Sequence, residues 1–434
     1  MTQTSETALA MVPAETSKVG MPWLRRSLGS PVPSGLIIFA VAYVIRAAFI
    51  LHSSLDLALG EPRNVAIALV EHRGFADPFR CPTGPTAHCS PFLPVLIAAI
   101  YSVFGTGYAG ELARCLLCLM VLCLCYALLP WFAVRLELPS SVGAAAGLIC
   151  ALFPFKRTSE TTSFSDEPFV ALILLPLTVF SVRLLKRKSV SWGEAFLYGL
   201  AWGTALYLGV SLLPIWLGTI VLRVVTSRSS VAAKLALSLA AAGVTASPWV
   251  LRNYQDLHAI TLMRSNFGLE LSLANSDGAR PSLKQNLSTG HQPDNHPLTS
   301  AGECAAVQQM GEAGYNRRKL DNAIQWIKGH PLGFSELTAW RVFYFWAGDP
   351  RDYWTAVPNE LLSIAGWVGC VLLIRRRFYA GAVVACAFAL YPLVYYVTQS
   401  TPRYSLPIHP LIALCAAYSM YAYRNANWIS QETK

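Results

Sequence analysis

The sequence predicts an all-α polytopic membrane protein with about ten transmembrane helices, and three observations support this fold class. Of the 434 residues, 54% are hydrophobic and only 13% are charged, which is about half the charged share of an average soluble domain. Long apolar runs recur along the chain, most of them near the roughly 20 residues that a helix needs to cross a bilayer. Basic residues cluster beside these runs. Together these features argue against a water-soluble fold.

The apolar runs define the individual predicted spans. The run at 195–224 is too long for one span, and Gly209 and Pro214 interrupt it, so we expect two short helices near 195–208 and 211–224. Counting that run twice gives ten spans. The runs are 34–51, 111–134, 141–154, 168–185, 195–224, 231–247, 358–374, 379–398 and 405–422.

The basic clusters predict that both termini face the cytoplasm, because Lys and Arg in short loops are retained on that side. The apolar stretch Pro91–Phe104 decides this orientation, since counting it as a span would place the downstream clusters outside. It is also short for a span. We therefore interpret it as a juxtamembrane helix on the outer surface. The clusters are Arg25 with Arg26, Lys186 to Lys188, and Arg375 to Arg377.

This topology divides the chain into four regions. Residues 1–30 form a disordered cytoplasmic tail, and residues 31–251 form a transmembrane module that includes an outer loop at 52–110. Residues 252–357 form a second non-cytoplasmic region. Its part at 276–303 has the composition of a mobile loop, and Gln308–Trp346 has helical periodicity broken at His330-Pro331, which predicts two amphipathic helices. Residues 358–434 hold the last transmembrane helices and a short cytoplasmic tail.

Several motifs carry no specific chemistry. The net charge of +10 comes mainly from basic residues beside the spans, so it does not predict nucleic-acid binding. The pairs Gly143 with Gly147 and Gly199 with Gly203 suit close helix packing. His291 and His296 are interpreted as solvated loop residues rather than metal ligands. The sequence leaves open whether Cys81 and Cys89, both in the first outer loop, form a disulfide.

Charged residues at the predicted outer face indicate a site. Ionisable groups at membrane depth are costly and by default suggest function, although snorkelling or a structural ion pair explains any single one equally well. Such a face suits a lipid phosphate gripped by cations beside a carboxylate. Sugar transfer from a polyprenyl phosphate needs only one acidic residue, because the phosphate is already a good leaving group. The charges concerned are Asp56, Glu61, Arg114, Lys156, Arg157, Glu160, Asp166, Glu167 and Arg403.

Motifs in this order along nearly the whole chain resemble the GT-C superfamily of membrane glycosyltransferases, particularly the bacterial branch related to protein mannosyltransferases and aminoarabinose transferases. The resemblance begins at Glu61 and ends at the segment that opens the last helix. Each motif alone is nonspecific. The motifs are Glu61-x-x-x-x-Ala66, Gly74-Phe75-Ala76-Asp77-Pro78-Phe79, Gly84-Pro85-Thr86-Ala87, Pro91-x-x-Pro94, Arg114, Asp166-Glu167, Pro248 to Tyr254, Asn266 to Glu270, Asn275 and Pro402-Arg403-Tyr404-Ser405-Leu406-Pro407.

The resemblance implies an inverting transfer from a polyprenyl-phosphate-linked sugar to a lipid, polysaccharide or protein of the envelope, at the outer face of a bacterial plasma membrane. It makes Glu61 the base or acceptor-positioning group, with Asp56 as its rival. From the charges at the outer face we expect the donor phosphate near Arg114, Arg252 and Arg403, helped by Lys156 or Arg157. We expect further substrate contacts at Asp166, Glu167, Asn253, Tyr254, Glu270 and Tyr404. No cofactor is specified, and a divalent metal requirement stays open.

Two other functions fit the same sequence pattern. A secondary transporter or lipid flippase would also have many helices and intramembrane charges. The inverted repeat typical of such transporters is not visible, and large asymmetric outer loops favour the enzyme. A catalytically inactive scaffold would keep the helices and transfer no sugar.

Overall fold

The computed structural model describes residues 30–52, 60–152, 165–227, 232–351 and 353–432. These residues are mostly helical and include no β-strand, although isolated β-bridges join Ala76 to Pro85 and Ser282 to Ser400. The helices in chain order are α1 Pro31–His52, α2 Glu61–Val70, α3 Phe92–Phe104, α4 Tyr108–Ala127, α5 Leu129–Arg135, α6 Ser140–Leu152, α7 Glu167–Lys186, α8 Trp192–Ala205, α9 Leu213–Thr226, α10 Ala232–Leu257, α11 Phe267–Ala274, α12 Leu283–Ser288, α13 His291–Asn295, α14 Ala301–Gly329, α15 Pro331–Ala347, α16 Tyr353–Arg376, α17 Phe378–Leu390, α18 Leu393–Val397 and α19 His409–Glu432.

Six helices among the described residues are long and apolar enough to cross a membrane. This supports an all-α multi-pass membrane protein, while the expected count of about ten, which includes shorter helices, stays a prediction. Shorter apolar helices lie at Phe92–Phe104, Ser140–Leu152 and Val210–Thr226. The six long segments are Pro31–Ile50, Tyr108–Ala127, Glu167–Lys186, Ala232–Leu257, Ala356–Arg376 and Phe378–Val397.

The predicted helix breaks are confirmed. Helix α8 ends at Ala205 and α9 begins at Leu213, with Gly209 in an extended conformation between them. Helices α14 and α15 meet at His330, directly before Pro331. In both places a proline lies in the first turn of the second helix, because proline fits the first turn but not a helix interior.

Glycines mark the closest helix contacts, as predicted. A side chain at Gly199 or Gly203 would meet the backbone of α10 at Ser238 or Ala242, and one at Gly143 would meet the backbone at Leu129. Small residues allow helix backbones to approach this closely.

Buried arginines satisfy the carbonyl ends of several helices. Arg46 of α1 donates to the carbonyls of Cys150 (2.7 Å) and Ala151 (2.9 Å) in the last turn of α6. Arg223 of α9 donates to the carbonyl of Leu184 (3.1 Å) near the end of α7. Arg341 of α15 donates to the carbonyl of Ala274, at the end of α11. The last carbonyls of a helix have no partner within it and carry partial negative charge, so a buried cation stabilises them.

Two loop regions lie beside the long helices and build the site described below. The first loop region comprises residues 60–107, and the second comprises residues 258–351. A disulfide between Cys81 and Cys304 joins them, so Cys81 pairs across the chain rather than with Cys89, which is free and buried. Phe79, Leu269 and Tyr315 pack in one cluster around this link.

The segment 276–303, whose composition suggests a mobile loop, contains two short helices. The amide of Leu283 donates to the carbonyl of Ser400, and the amide of Ser400 donates to the carbonyl of Pro281, both over 2.9 Å. Asn286 is fully buried and donates its side-chain amide to Gln399 over 3.0 Å. The polar composition that suggested mobility therefore serves contacts with the approach to α19.

Candidate functional site

A cavity of about 670 Å³ lies where the two loop regions meet the ends of α7, α17 and α18. Its walls mix apolar side chains with an unusual number of charged and polar groups for a protein of this composition. The polar and aromatic lining residues are Glu61, His88, Asp166, Glu167, Arg264, Asn266, Glu270, Gln292, His296, Tyr391, Tyr395, Gln399, Arg403 and Tyr404.

Glu61, the predicted base, lies on this cavity at the first position of α2. Gly60 before it is extended, and Pro62 follows it in the first turn, so the sequence starts a helix here. The Glu61 side chain is 25% exposed. A carboxylate is favoured at a helix N-terminus because the free backbone N–H groups there carry partial positive charge. Its rival Asp56 lies outside the described residues.

Two histidines face the Glu61 carboxylate. Nε2 of His296 lies 3.4 Å from Oε1 of Glu61, and Nε2 of His88 lies 4.0 Å from the same atom. Phe79 packs edge-on against both imidazoles, with ring centroids 4.8 Å and 6.3 Å away. Both histidines are almost completely buried. The interpretation of His296 as a solvated loop residue is therefore wrong, because the residue directly after α13 points into the protein. His291, at the start of α13, contacts the carbonyl of Leu273 at 2.9 Å.

Burial and charge fix the protonation of this cluster. Burial lowers the pKa of His88 from 6.5 to about 3 despite the nearby Glu61 carboxylate, so His88 is neutral at neutral pH. Burial alone would raise the pKa of Glu61, but the electrostatic influence of the two imidazole rings, a backbone hydrogen bond and Arg403 outweigh burial and hold that pKa below its usual value. Because the folded pKa of His88 is depressed, its contribution to stability is present above pH 6.5 and is lost as the pH falls towards 3.

The cluster suits a divalent cation. The ligand atoms of Glu61, His88 and His296 all lie within 4.8 Å of one another, and two histidines with one glutamate form a known set of catalytic zinc ligands. Neutral imidazole is the form that binds a metal. In both histidines it is Nε2 that lies near the Glu61 carboxylate, so Nε2 is the nitrogen that would bind the metal. These residues fit a metal.

Cations form the opposite group in the cavity. Nε of Arg403 lies 3.4 Å from Oε1 of Glu167, and the Arg403 guanidinium stacks over the Tyr404 ring at 5.3 Å. Nε of Arg264 donates to the carbonyl of His88 over 3.1 Å. Burial opposes both charges, but the acidic neighbours outweigh it, so the pKa of each arginine is raised and both stay protonated. Two fixed positive charges thus share the cavity with Glu61.

Other predicted residues lie in different surroundings. Arg114 pairs with Glu111, which also accepts from Arg63 over 2.7 Å and from Tyr101, and it does not line the cavity. Arg252 pairs with Asp256 over 2.8 Å. Four of the remaining predicted residues line the cavity: Asp166, Glu167, Glu270 and Tyr404. Asn253 is buried beside Thr261, and Tyr254 is exposed. Lys156 and Arg157 lie outside the described residues.

Sequence reasoning did not single out His88 or Arg264. Both carry a signal, because each is a polar side chain next to a motif of the resemblance: His88 follows Gly84-Pro85-Thr86-Ala87, and Arg264 lies two residues before Asn266. Functional side chains are often carried by loops that a rigid scaffold positions. A histidine or arginine beside such a motif is therefore a candidate site residue.

Neither the protein-family models nor the curated proteins match this sequence. Among solved structures, the chain is similar to an oligosaccharyltransferase of Archaeoglobus fulgidus, tethered with an acceptor peptide containing the NVT sequon via a disulfide bond, with a TM-score of 0.53 and 14% identity over 92% of this chain and 51% of the other. A second structure of that oligosaccharyltransferase, in complex with Zn and sulfate, has a TM-score of 0.49 and 14% identity over 91% and 49%.

The first of these similarities shows that the chain shares its fold with about half of that oligosaccharyltransferase. At this identity the likeness concerns the fold alone. The chain spans about half the length of that oligosaccharyltransferase.

We expect the purified protein to bind one Zn²⁺ through the cluster of Glu61, His88 and His296. His88→Ala and His296→Ala should each weaken Zn²⁺ binding by at least about tenfold, because each removes one of three ligands. Isothermal titration with ZnCl₂ in detergent measures this directly. His291→Ala is the matched control, since His291 lies in the same segment and contacts Leu273 instead. Equal affinity in the wild type and all three variants would refute the site.

Proposed function

We propose that this protein transfers a sugar from a lipid-phosphate donor to an acceptor of the cell envelope, on the non-cytoplasmic side of the membrane. The observation that carries the proposal is the shared cavity: a carboxylate at Glu61 and guanidinium groups at Arg264 and Arg403 line it together in a protein with the GT-C fold.

Arg264 and Arg403 hold the donor phosphate in this proposal. Arginine binds phosphate well because its planar guanidinium donates two parallel hydrogen bonds and stays charged. Glu167 pairs with one edge of Arg403, at Nε, and thereby limits how the guanidinium can rotate. The side chain of Arg403 remains 39% exposed. A phosphate in the cavity would find both cations oriented before it arrives, which avoids part of the ordering cost.

The reaction is a single displacement. The acceptor oxygen or nitrogen forms a bond to the anomeric carbon, the bond from that carbon to the phosphate oxygen breaks, and the polyprenyl phosphate leaves with the electron pair. The acceptor proton goes to the ionised Glu61, whose pKa lies below its usual value. Oε1 of Glu61 faces the two imidazoles, which leaves Oε2 for the proton. Attack from the face opposite the phosphate inverts the anomeric centre.

A divalent cation held by Glu61, His88 and His296 would act as a Lewis acid that lowers the pKa of an acceptor hydroxyl. The protein residues have the same task with or without it. They orient the acceptor beside Glu61, and the loop regions that carry His88 and His296 limit the access of water that would hydrolyse the donor.

An apolar groove of about 710 Å³ supports a lipid-linked donor. It is lined by apolar side chains of α1, α4, α5 and α7, including Phe39, Leu124 and Trp131. Neighbouring residues line the two spaces, since Phe169 and Leu208 line the groove while Val170 and Gly209 line the cavity. An isoprenoid chain would enter this groove from the hydrocarbon of the bilayer, so van der Waals packing against the lining side chains, not transfer from water, would hold it there. The phosphate can then reach the cations while its tail stays among the helices.

The disulfide supports the proposed sidedness. Disulfides persist in oxidising compartments and are rare in the cytosol. Cys81 and Cys304 lie in the two loop regions that form the cavity, so an oxidising compartment on that side of the membrane would keep them paired. The basic clusters predict the same orientation from the other side, since they are cytoplasmic when these loops are outside.

Glu61→Gln should reduce transfer by about a thousandfold, because the amide cannot accept the acceptor proton. The assay is sugar transfer by purified protein from a panel of undecaprenyl-phosphate-linked hexoses and pentoses to envelope extract. Glu71→Gln is the matched control, since Glu71 caps the other end of α2 and is exposed. Full activity in purified Glu61→Gln would remove Glu61 from the role of base.

Leu124→Trp should raise the KM for an undecaprenyl-linked donor by about tenfold and leave the KM for a geranyl-linked donor unchanged. The larger side chain narrows the apolar groove, and only the longer chain has to extend past it. Steady-state kinetics with the two donors measure this. Met120→Trp is the matched control, because Met120 is comparably exposed on the same helix and does not line the groove. Equal effects of Leu124→Trp on both donors would place the tail elsewhere.

A further inference from the structure

Glu312 lies outside the cavity but at the meeting point of two segments that supply cavity residues. We call these two segments the polar junction. They are residues 86–88 of the first loop region and residues 264–266 of the second. Oε1 of Glu312 accepts from the amide of Ala87 (2.8 Å) and from the hydroxyl of Ser265 (2.6 Å), and Oε2 accepts from the hydroxyl of Thr86. One carboxylate thus binds both segments at once.

The contacts of Glu312 lead directly to the cavity residues. The hydroxyl of Thr86 accepts from the amide of His88 over 2.9 Å, and the amide of Ser265 donates to the carbonyl of Ala87 over 2.9 Å. Arg264 donates to the carbonyl of His88. A shift of the Glu312 carboxylate would therefore move the backbone that orients His88 and Arg264.

Glu312 is itself held rigidly. Glu312 is only 5% exposed. Burial raises the pKa of its carboxyl, although the hydrogen bonds from Ser265, Thr86 and Ala87 lower it. Gly311 before it has φ of 69° and ψ of 160° inside α14, a conformation that favours glycine. A side chain at Gly311 would meet nothing within 4 Å, so the backbone conformation, not lack of space, calls for glycine there.

The surrounding helix is fixed at other points too. The disulfide from Cys81 anchors α14 at Cys304, and Oδ1 of Asn316 accepts from the amide of Leu269 over 3.2 Å. Helix α14 is therefore a fixed support against the polar junction. Replacing Glu312 by an apolar residue would leave two buried donors, the Thr86 hydroxyl and the Ala87 amide, and the half-buried Ser265 hydroxyl without their acceptor, which is the costly way to lose hydrogen bonds.

We infer that Glu312 is a positioning residue, which holds His88 and Arg264 in register on the cavity wall without touching the reacting atoms. Its kinetic consequences rest on the function proposed above, whereas its effect on the position of residues 86–89 does not. Cys89 offers a probe for the latter, because it is a free, buried thiol next to His88 and lines the cavity.

The test compares Glu312→Ala, Glu312→Gln and Gly311→Ala with the wild type. Each protein is treated with methyl methanethiosulfonate, and peptide mass spectrometry follows the modification of Cys89 and of Cys118, a buried thiol in α4. We expect the Cys89 rate to rise about tenfold in Glu312→Ala and less in Glu312→Gln, with Cys118 unchanged, because local opening exposes only the polar junction. Gly314→Ala is the control, since Gly314 lies in the same helix and a side chain there makes ordinary contacts.

A second readout follows the reaction. In the transfer assay, kcat/KM for the donor should fall about tenfold in Glu312→Gln, because Arg264, which holds the donor phosphate in the proposed function, loses its supporting partner. If the modification rates of Cys89 and Cys118 rise together, Glu312 stabilises the whole fold rather than the polar junction, and the inference is overturned. An unchanged Cys89 modification rate would overturn it too. If no donor supports transfer by the wild type, the proposed function fails while the labelling result still decides the role of Glu312.

Discussion

The polar junction is the constraint on which the cavity depends. Residues 86–88 and 264–266 belong to irregular chain, so their backbone groups have no ladder or helix to satisfy them, and buried backbone groups need partners. They obtain these partners from each other and from Arg252, which donates to the carbonyls of Thr86 (2.5 Å) and Phe75 (2.8 Å). Arg252 therefore stabilises the cavity wall from behind, although the sequence assigned it to the donor phosphate.

Buried backbone groups in the membrane part of the fold also need hydrogen-bond partners, and arginine side chains provide them. Helices that end among apolar neighbours need donors for their last carbonyls, and Arg46, Arg223 and Arg341 supply them. Charges that enter the cavity are paired as well, as Arg403 is with Glu167. Burying an unpaired charge is far more costly than burying a paired one. The result is a polar cavity at one end of an apolar bundle, with an apolar groove beside it.

Local patterns predicted the features that depend on nearby residues. Hydropathy gave the membrane helices, and the breaks at Gly209 and His330 followed from proline and glycine chemistry. Glu61 and Arg403 were singled out from short motifs, and the structure places both on the cavity. The features that the sequence left open or misinterpreted depend on contacts between distant residues. Cys304 is 223 residues from Cys81, and the burial of His296 beside Glu61 has no local signal. Arg114 is the exception, since Glu111 on the same helix turn already offered it a partner.

The central claim is that lipid phosphate binds between Arg264 and Arg403 with its chain in the apolar groove. Cryo-electron microscopy of the protein with undecaprenyl phosphate in nanodiscs tests this most directly. We expect phosphate density in contact with both guanidinium groups and a continuous chain that passes Phe169 towards Leu124. Phosphate density at another site, or a chain that leaves the cavity away from the groove, would contradict it.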